Sequence, residues 1–164
     1  MADIVRYGVL STAQIALNRH LPAAQAAANS QVVAIASRDQ AKADKSAGEH
    51  GIAKAYGSYQ ALLHDPDIDA VINPLPNSMH CEWSIKAAQA GKHILCEKPL
   101  SVTVDESRKM IDAAKHNGVL LVEAFTHRLN PQLQCARRLV QQGEIGEVKL
   151  ARAELTFRIR DWPG

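Results

Sequence analysis

Apolar residues along the chain gather into short unbroken runs, and longer stretches that mix apolar and polar residues at helical spacing lie between them. The runs at residues 5–10, 31–36, 53–56, 69–72, 93–96 and 119–122 each read as a strand, those at 31–36 and 93–96 as buried ones. The stretches between them read as helices. One begins at Ser11-Thr12 and runs through the alanine-rich segment to about Ala28. Asp39 can cap a second, ending near His50, where Gly51 supplies a left-handed C′ position. Ser58 caps a third of one or two turns, stopped at Asp65-Pro66, and a fourth spans about Met79 to Ala90. Thr103 with Glu106 three residues on is a capping box for a fifth, ending at Asn117-Gly118, and residues 131–142 form a sixth. Asn73-Pro-Leu-Pro-Asn77 cannot be regular. Strand and helix alternate six times, so the expected fold class is α/β, a doubly wound and mostly parallel sheet.

The ending breaks this rhythm. Val148, Leu150, Ala153, Leu155, Phe157 and Ile159 alternate with charged neighbours across residues 147–160, as in a long half-exposed strand. The domain reading is residues 1–125 for the doubly wound sheet, 126–146 for a connecting loop and helix, and 147–164 for the opening strand of a second domain.

Composition narrows the function classes. The 164 residues are 46% apolar and 22% charged, with a net charge of +2 spread along the chain. That is enough chain for one real core, and it offers no basic face for nucleic acid. No apolar run reaches the ~18 residues of a membrane span, and the first ten residues lack a secretory signal. Cys81, Cys96 and Cys135 are odd in number and widely spaced, which points away from disulfides and zinc and toward a reducing cytoplasm.

Candidate chemistry lies where strands end. In open α/β sheets ligands bind outside the carboxyl ends of the strands. The strand at 93–96 runs straight into Glu97-Lys98-Pro99, which puts a carboxylate, an amine and a rigid proline at such an edge. The first strand runs into Ser11-Thr12-Ala13-Gln14-Ile15-Ala16. Small residues hold the G-x-G-x-x-G/A positions at Ser11, Ala13 and Ala16, so a pyrophosphate could approach this helix N-terminus without a glycine. After the second strand come Ser37-Arg38-Asp39, with Lys42 a turn further. An unphosphorylated ribose calls for Asp or Glu at that place, whereas Ser and two cations suit a 2′-phosphate, and Arg38 could lie flat on adenine.

On these residues the chain resembles the N-terminal half of the Gfo/Idh/MocA oxidoreductases, within it the NADP-linked sugar and dihydrodiol dehydrogenases. The matching pieces include residues 8–16, Ser37-Arg38, residues 54–59 and 65–71, Pro76-Asn-Ser-Met-His80, Ala90 to Pro99, and Glu123 to Arg128. The resemblance implies a Rossmann fold and NADP as cofactor, with NAD left open. It places Ser11, Thr12, Ala13, Gln14 and Ile15 under the pyrophosphate, and Ser37, Arg38 and Lys42 at the 2′-phosphate. Leu75, Pro76, Asn77 and His80 line the nicotinamide side, and Arg128 lies near nicotinamide or substrate. Glu97 and Lys98 fall in the family's Glu-Lys-Pro motif, whose lysine faces the reacting carbon and whose Lys-Pro bond is often cis. It further implies a sugar, polyol or dihydrodiol substrate. The second domain would carry the acid–base group, most substrate contacts and a homo-oligomer (dimer) interface, so this stretch alone would bind cofactor without turnover.

Other features read more blandly. His80 and Glu82 share no helical face, so no metal is expected. His20 and His127 lack partners at motif spacing and read as surface or packing residues, Trp83 as core, and Cys96 as an inert buried thiol. Two other classes remain: a non-catalytic dinucleotide sensor, against which the intact Glu97-Lys98-Pro99 argues, and an unrelated α/β ligand-binding domain.

Overall fold

The computed structural model describes residues 4–154 and 156. Six strands make one parallel sheet: β1 (Val5–Val9), β2 (Ser30–Ala36), β3 (Lys54–Tyr56), β4 (Ala70–Asn73), β5 (His93–Cys96) and β6 (Leu121–Glu123). Their spatial order is β3-β2-β1-β4-β5-β6, the dinucleotide-binding order with its reversal between β1 and β4. Neighbours on a strand serve opposite cores, which is why the runs are unbroken. Ala34, Ala36, Val71, Ile94 and Cys96 pack toward α3 (Tyr59–Leu63), α4 (Asn77–Gln89) and α5 (Val104–His116). Ile35 and Ile72 pack with Ala16, Leu21 and Ala47, on the side of α1 (Leu21–Ala26) and α2 (Gln40–His50). Gly8 is a close-approach glycine: a Cβ there would meet Leu62 Cδ2 at 2.7 Å.

Helix ends follow the sequence closely. The Asp39, Ser58 and Thr103 side chains accept from Lys42, Ala61 and Glu106 N–H, and Gly51 takes φ 65°. In the capping box the Glu106 carboxylate reaches Val102 N–H at 3.0 Å, one residue earlier than the standard reciprocal bond. Two expectations differ from what forms. The first helix is not regular: Ala16–His20 is a π-helical segment leading into α1. No strand forms over residues 147–154, because the described residues supply no partner ladder to them; residues 155 and 157–160 lie outside the described set.

Contacts divide the chain into two units, residues 1–125 and 126–164. The second contains a 3-10 turn (Thr126–Leu129) and α6 (Pro131–Gln141), capped by the Asn130 side chain. Among the described residues no helix is long and apolar enough to cross a membrane.

Charged groups fasten the sheet at the edge away from the candidate site. Asp69, just before β4, takes Arg6 Nε at 3.0 Å and its N–H at 2.8 Å. Asp65 takes Lys54 Nζ at 2.8 Å and the Tyr56 hydroxyl at 2.8 Å, and the buried Lys92 ammonium donates to the carbonyls of Asp65 and Ile68. Arg6 draws Asp69 down to about 2. Burial would raise Asp65, but Lys54, the Asp67 N–H and Tyr56 outweigh it and hold it at about 2. Both lie below the 3.8 of a free aspartate. Their contribution is therefore whole above about pH 4 and is lost as pH falls through their folded values. Urea midpoints should stay level from neutrality to about pH 5 and then drop toward about pH 2, less steeply in Asp69→Asn. Equal slopes in the two proteins would refute this.

Candidate functional site

The carboxyl edge of the first unit holds the candidate chemistry, strand by strand. After β1 the chain turns at Ser11–Ala13 before the helical residues begin at Gln14. Leu10 N–H donates to Ile72 O at 3.0 Å, which keeps this turn beside the end of β4. The Ser11 hydroxyl oxygen accepts from Ala13 N–H at 2.9 Å. Serine therefore shapes the turn from its own side chain, a job a glycine fingerprint leaves to backbone freedom. Gln14 and Ile15 are exposed on the first helical turn, and Thr12 is half-buried.

At the end of β2, Ser37 is buried and its hydroxyl accepts from Asp39 N–H at 3.3 Å. Arg38 and Lys42 are exposed, and among the described residues neither has a carboxylate partner. Arg38 borders an open cavity of about 310 Å³ with Ser58, Tyr59, Gln60, Met79 and Trp83. Trp83 is only half-buried. It meets Tyr59 edge-on at 5.0 Å, lies under the Lys86 ammonium, and has no partner for its buried Nε1 among the described residues.

At the end of β4 the polar residue Asn73 is fully buried. Its amide donates to His80 O and Ser84 Oγ, and its oxygen accepts from Leu75 N–H, so one side chain shapes the Pro74–Pro76 loop. His80, on the first turns of α4, is also fully buried. Its Nε2 lies 2.7 Å from Leu75 O and its Nδ1 2.9 Å from Pro99 O. In this structure His80 ties the β4 and β5 loops together, while Pro76 and Asn77 are exposed above it and Leu75 is buried.

At the end of β5 the Lys98–Pro99 peptide is cis. Glu97 is held by its N–H to Asn73 O at 3.0 Å and by its carboxylate accepting from Lys98 N–H at 2.9 Å. Among the described residues nothing holds the exposed Lys98 ammonium. Glu123 Oε1, at the end of β6, accepts from Leu100 N–H and closes the loop from the other side. Cys96 beneath the loop is buried, which pushes its thiol up to about 12. Arg128 is exposed on the 3-10 turn of the second unit, where it borders an open cavity of about 520 Å³ with His127, Arg137 and Arg138.

The carboxyl ends of β2, β1, β4 and β5 thus bring Ser37 and Arg38, the Ser11 turn, the Leu75–Asn77 loop and Glu97-Lys98 onto one edge. Sequence reasoning missed two residues there. His20 Nε2 lies 2.7 Å from Glu97 Oε1, a partner 77 positions away that no motif spacing could reveal. Asn73, expected at the head of an irregular loop through Asn77, is instead the last residue of β4, and Asn77 is the first of α4, so only Pro74–Pro76 stay irregular.

The family described as an oxidoreductase family with an NAD-binding Rossmann fold, Gfo/Idh/MocA, matches residues 5–125. The D-xylose 1-dehydrogenase (NADP(+)) 2 of Haloferax volcanii is 44% identical, across 94% of this chain and 47% of that protein. The trans-1,2-dihydrobenzene-1,2-diol dehydrogenase of Mus musculus is 36% identical, across 96% of this chain and 50% of that one. KijD10, a 3-ketoreductase from Actinomadura kijaniata solved with TDP-benzene and NADP, superposes with a TM-score of 0.82. It is 38% identical, covering 88% of this chain and 46% of its own. The chain spans about half the length of the curated relatives it matches.

Proposed function

From the premise that the chain belongs to the Gfo/Idh/MocA oxidoreductases, we propose that it is the cofactor half of an NADP-dependent dehydrogenase or reductase. Its substrate is a secondary alcohol or carbonyl of a sugar, polyol or dihydrodiol. The observation that carries the reading is Lys98: an ammonium unpaired among the described residues, on a braced loop, one strand from the switch point between β1 and β4. The bound nicotinamide supplies the hydride chemistry. Lys98 donates a hydrogen bond to the substrate oxygen and stabilises the negative charge that develops there. Glu97 fixes the backbone from which it projects.

The adenine end fits the residues that follow β2. Arg38 and Lys42, without a carboxylate partner among the described residues, suit a 2′-phosphate, Arg38 can cover an adenine face, and the cavity it borders with Tyr59, Met79 and Trp83 is roomy and mostly apolar. The Ser11–Ile15 turn receives the pyrophosphate at the helix N-terminus. Pro76 and Asn77 face nicotinamide or substrate. A second domain supplies the acid–base group, most substrate contacts and the dimer interface, so these 164 residues alone bind cofactor without turnover. Free Cys81, Cys96 and Cys135 suit a cytoplasmic setting.

Thermal unfolding with NADPH, NADH or neither tests the cofactor assignment. NADPH at a hundredfold excess over its Kd should stabilise the chain by about 2.7 kcal/mol, with a smaller gain from NADH at the same concentration. Stabilisation by NADH alone would overturn the role given to Arg38, and no shift with either would overturn the cofactor reading.

A further inference from the structure

We propose that His20 is a positioning residue for the Glu97-Lys98-Pro99 loop, coupling the helix after β1 to Lys98 and acting on the nicotinamide end of the cofactor. The inference rests on the NADP reading above. His20 and Glu97 are largely withdrawn from solvent, at 13% and 15% side-chain exposure. A carboxylate only accepts, so His20 Nε2 carries the proton and donates across 2.7 Å. The two oxygens of Glu97 are thereby divided. One is held by the first helix, and the other receives the backbone N–H of Lys98 at 2.9 Å. With Glu97 N–H on Asn73 O, the residue before the lysine is fastened to β4, to the first helix and to its own loop.

The local backbone aims the ring. His20 closes the π-helical segment Ala16–His20, whose wider turn gives the residue another heading than a regular α-helix would. Packing alone does not fix the side chain, because the ring borders a cavity of about 220 Å³ lined by Tyr7, Ala23, Ala24, Ile72 and Leu95. The carboxylate sets its orientation. The same helix begins at the turn assigned to the pyrophosphate, so His20 links the cofactor's seat to the loop that carries the lysine.

Two ligands separate this role from simple propping of the fold. NADPH spans the whole edge, whereas adenosine 2′,5′-bisphosphate ends at the adenosine-side phosphate and stops short of the Glu97-Lys98-Pro99 loop. His20→Ala should weaken NADPH about tenfold and leave the bisphosphate within about twofold, as expected for losing one charge-assisted hydrogen bond at the far end. His20→Gln can put an amide nitrogen near the place of Nε2 and should recover NADPH binding to within about threefold, while the shorter His20→Asn should not. Equal losses for both ligands would overturn the inference in favour of a structural prop. Unchanged NADPH binding in His20→Ala would overturn it alone. A parent chain that binds neither ligand would overturn the cofactor reading and the inference with it.

Discussion

Lys98→Ala, made in the full-length protein, should lower kcat about 10³-fold while leaving the Kd for NADPH within about threefold. The ammonium stands at the carboxyl end of β5, and among the described residues no hydrogen bond or ion pair engages it. In the proposed function its interactions go to what binds. A donor aimed at an oxygen that gains negative charge only during reaction contributes to the transition state more than to the ground state. Removing it should fall on kcat, and the backbone brace of Glu97 on Lys98 N–H survives the substitution. Lys98→Arg should recover little, because a planar fork cannot stand in for a compact ammonium at one oxygen. Steady-state kinetics beside NADPH titration reads both quantities. A kcat within about threefold of the parent would remove Lys98 from the chemistry.

His80→Leu should cost about 3 kcal/mol and lower the Tm by about 10 °C. The ring is fully buried, and its two nitrogens are the partners of Leu75 O and Pro99 O. Leucine is close in size, so the loss comes chiefly from the ring's hydrogen bonding to the two buried loop carbonyls, which leucine cannot replace. Those carbonyls belong to the β4 and β5 loops, which bear Asn77 and Lys98. NADPH affinity should fall along with stability, since the walls of the crevice lose their shared fastening. Denaturant unfolding and cofactor titration of the same preparation check both effects. A variant within about 0.5 kcal/mol of the parent would show that other contacts hold the loops.

The architecture was legible in the chain because it depends on local pattern. Residues such as Val71-Ile72 and Ile94-Leu95-Cys96 alternate between two cores, which forces unbroken apolar runs and hence strands covered by helices on both faces. Caps at Asp39, Ser58 and Thr103 and the left-handed Gly51 act within three or four residues of their partners, so the helix boundaries could be read within a residue or two. The motif residues Ser11, Arg38, Glu97 and Lys98 could be named for the same reason, since strand ends could be located and ligands collect there.

What the sequence could not decide are the pairings between distant residues. His20 read as a surface or packing histidine because its partner Glu97 is remote along the chain, and the π-helical segment that turns it inward leaves no periodic signature. His80 read as a residue lining the nicotinamide side, yet its two acceptors come from separate loops that meet only once α4 lies against β4 and β5. The alternation that begins at residue 147 expresses a strand's preference, but a strand exists only with a ladder to join, and the described residues offer none to 147–154. Local pattern determined the sheet and its ligand edge. Which side chains brace that edge was decided by tertiary structure, because hydrogen bonds across 19 to 77 positions form only after the chain has folded.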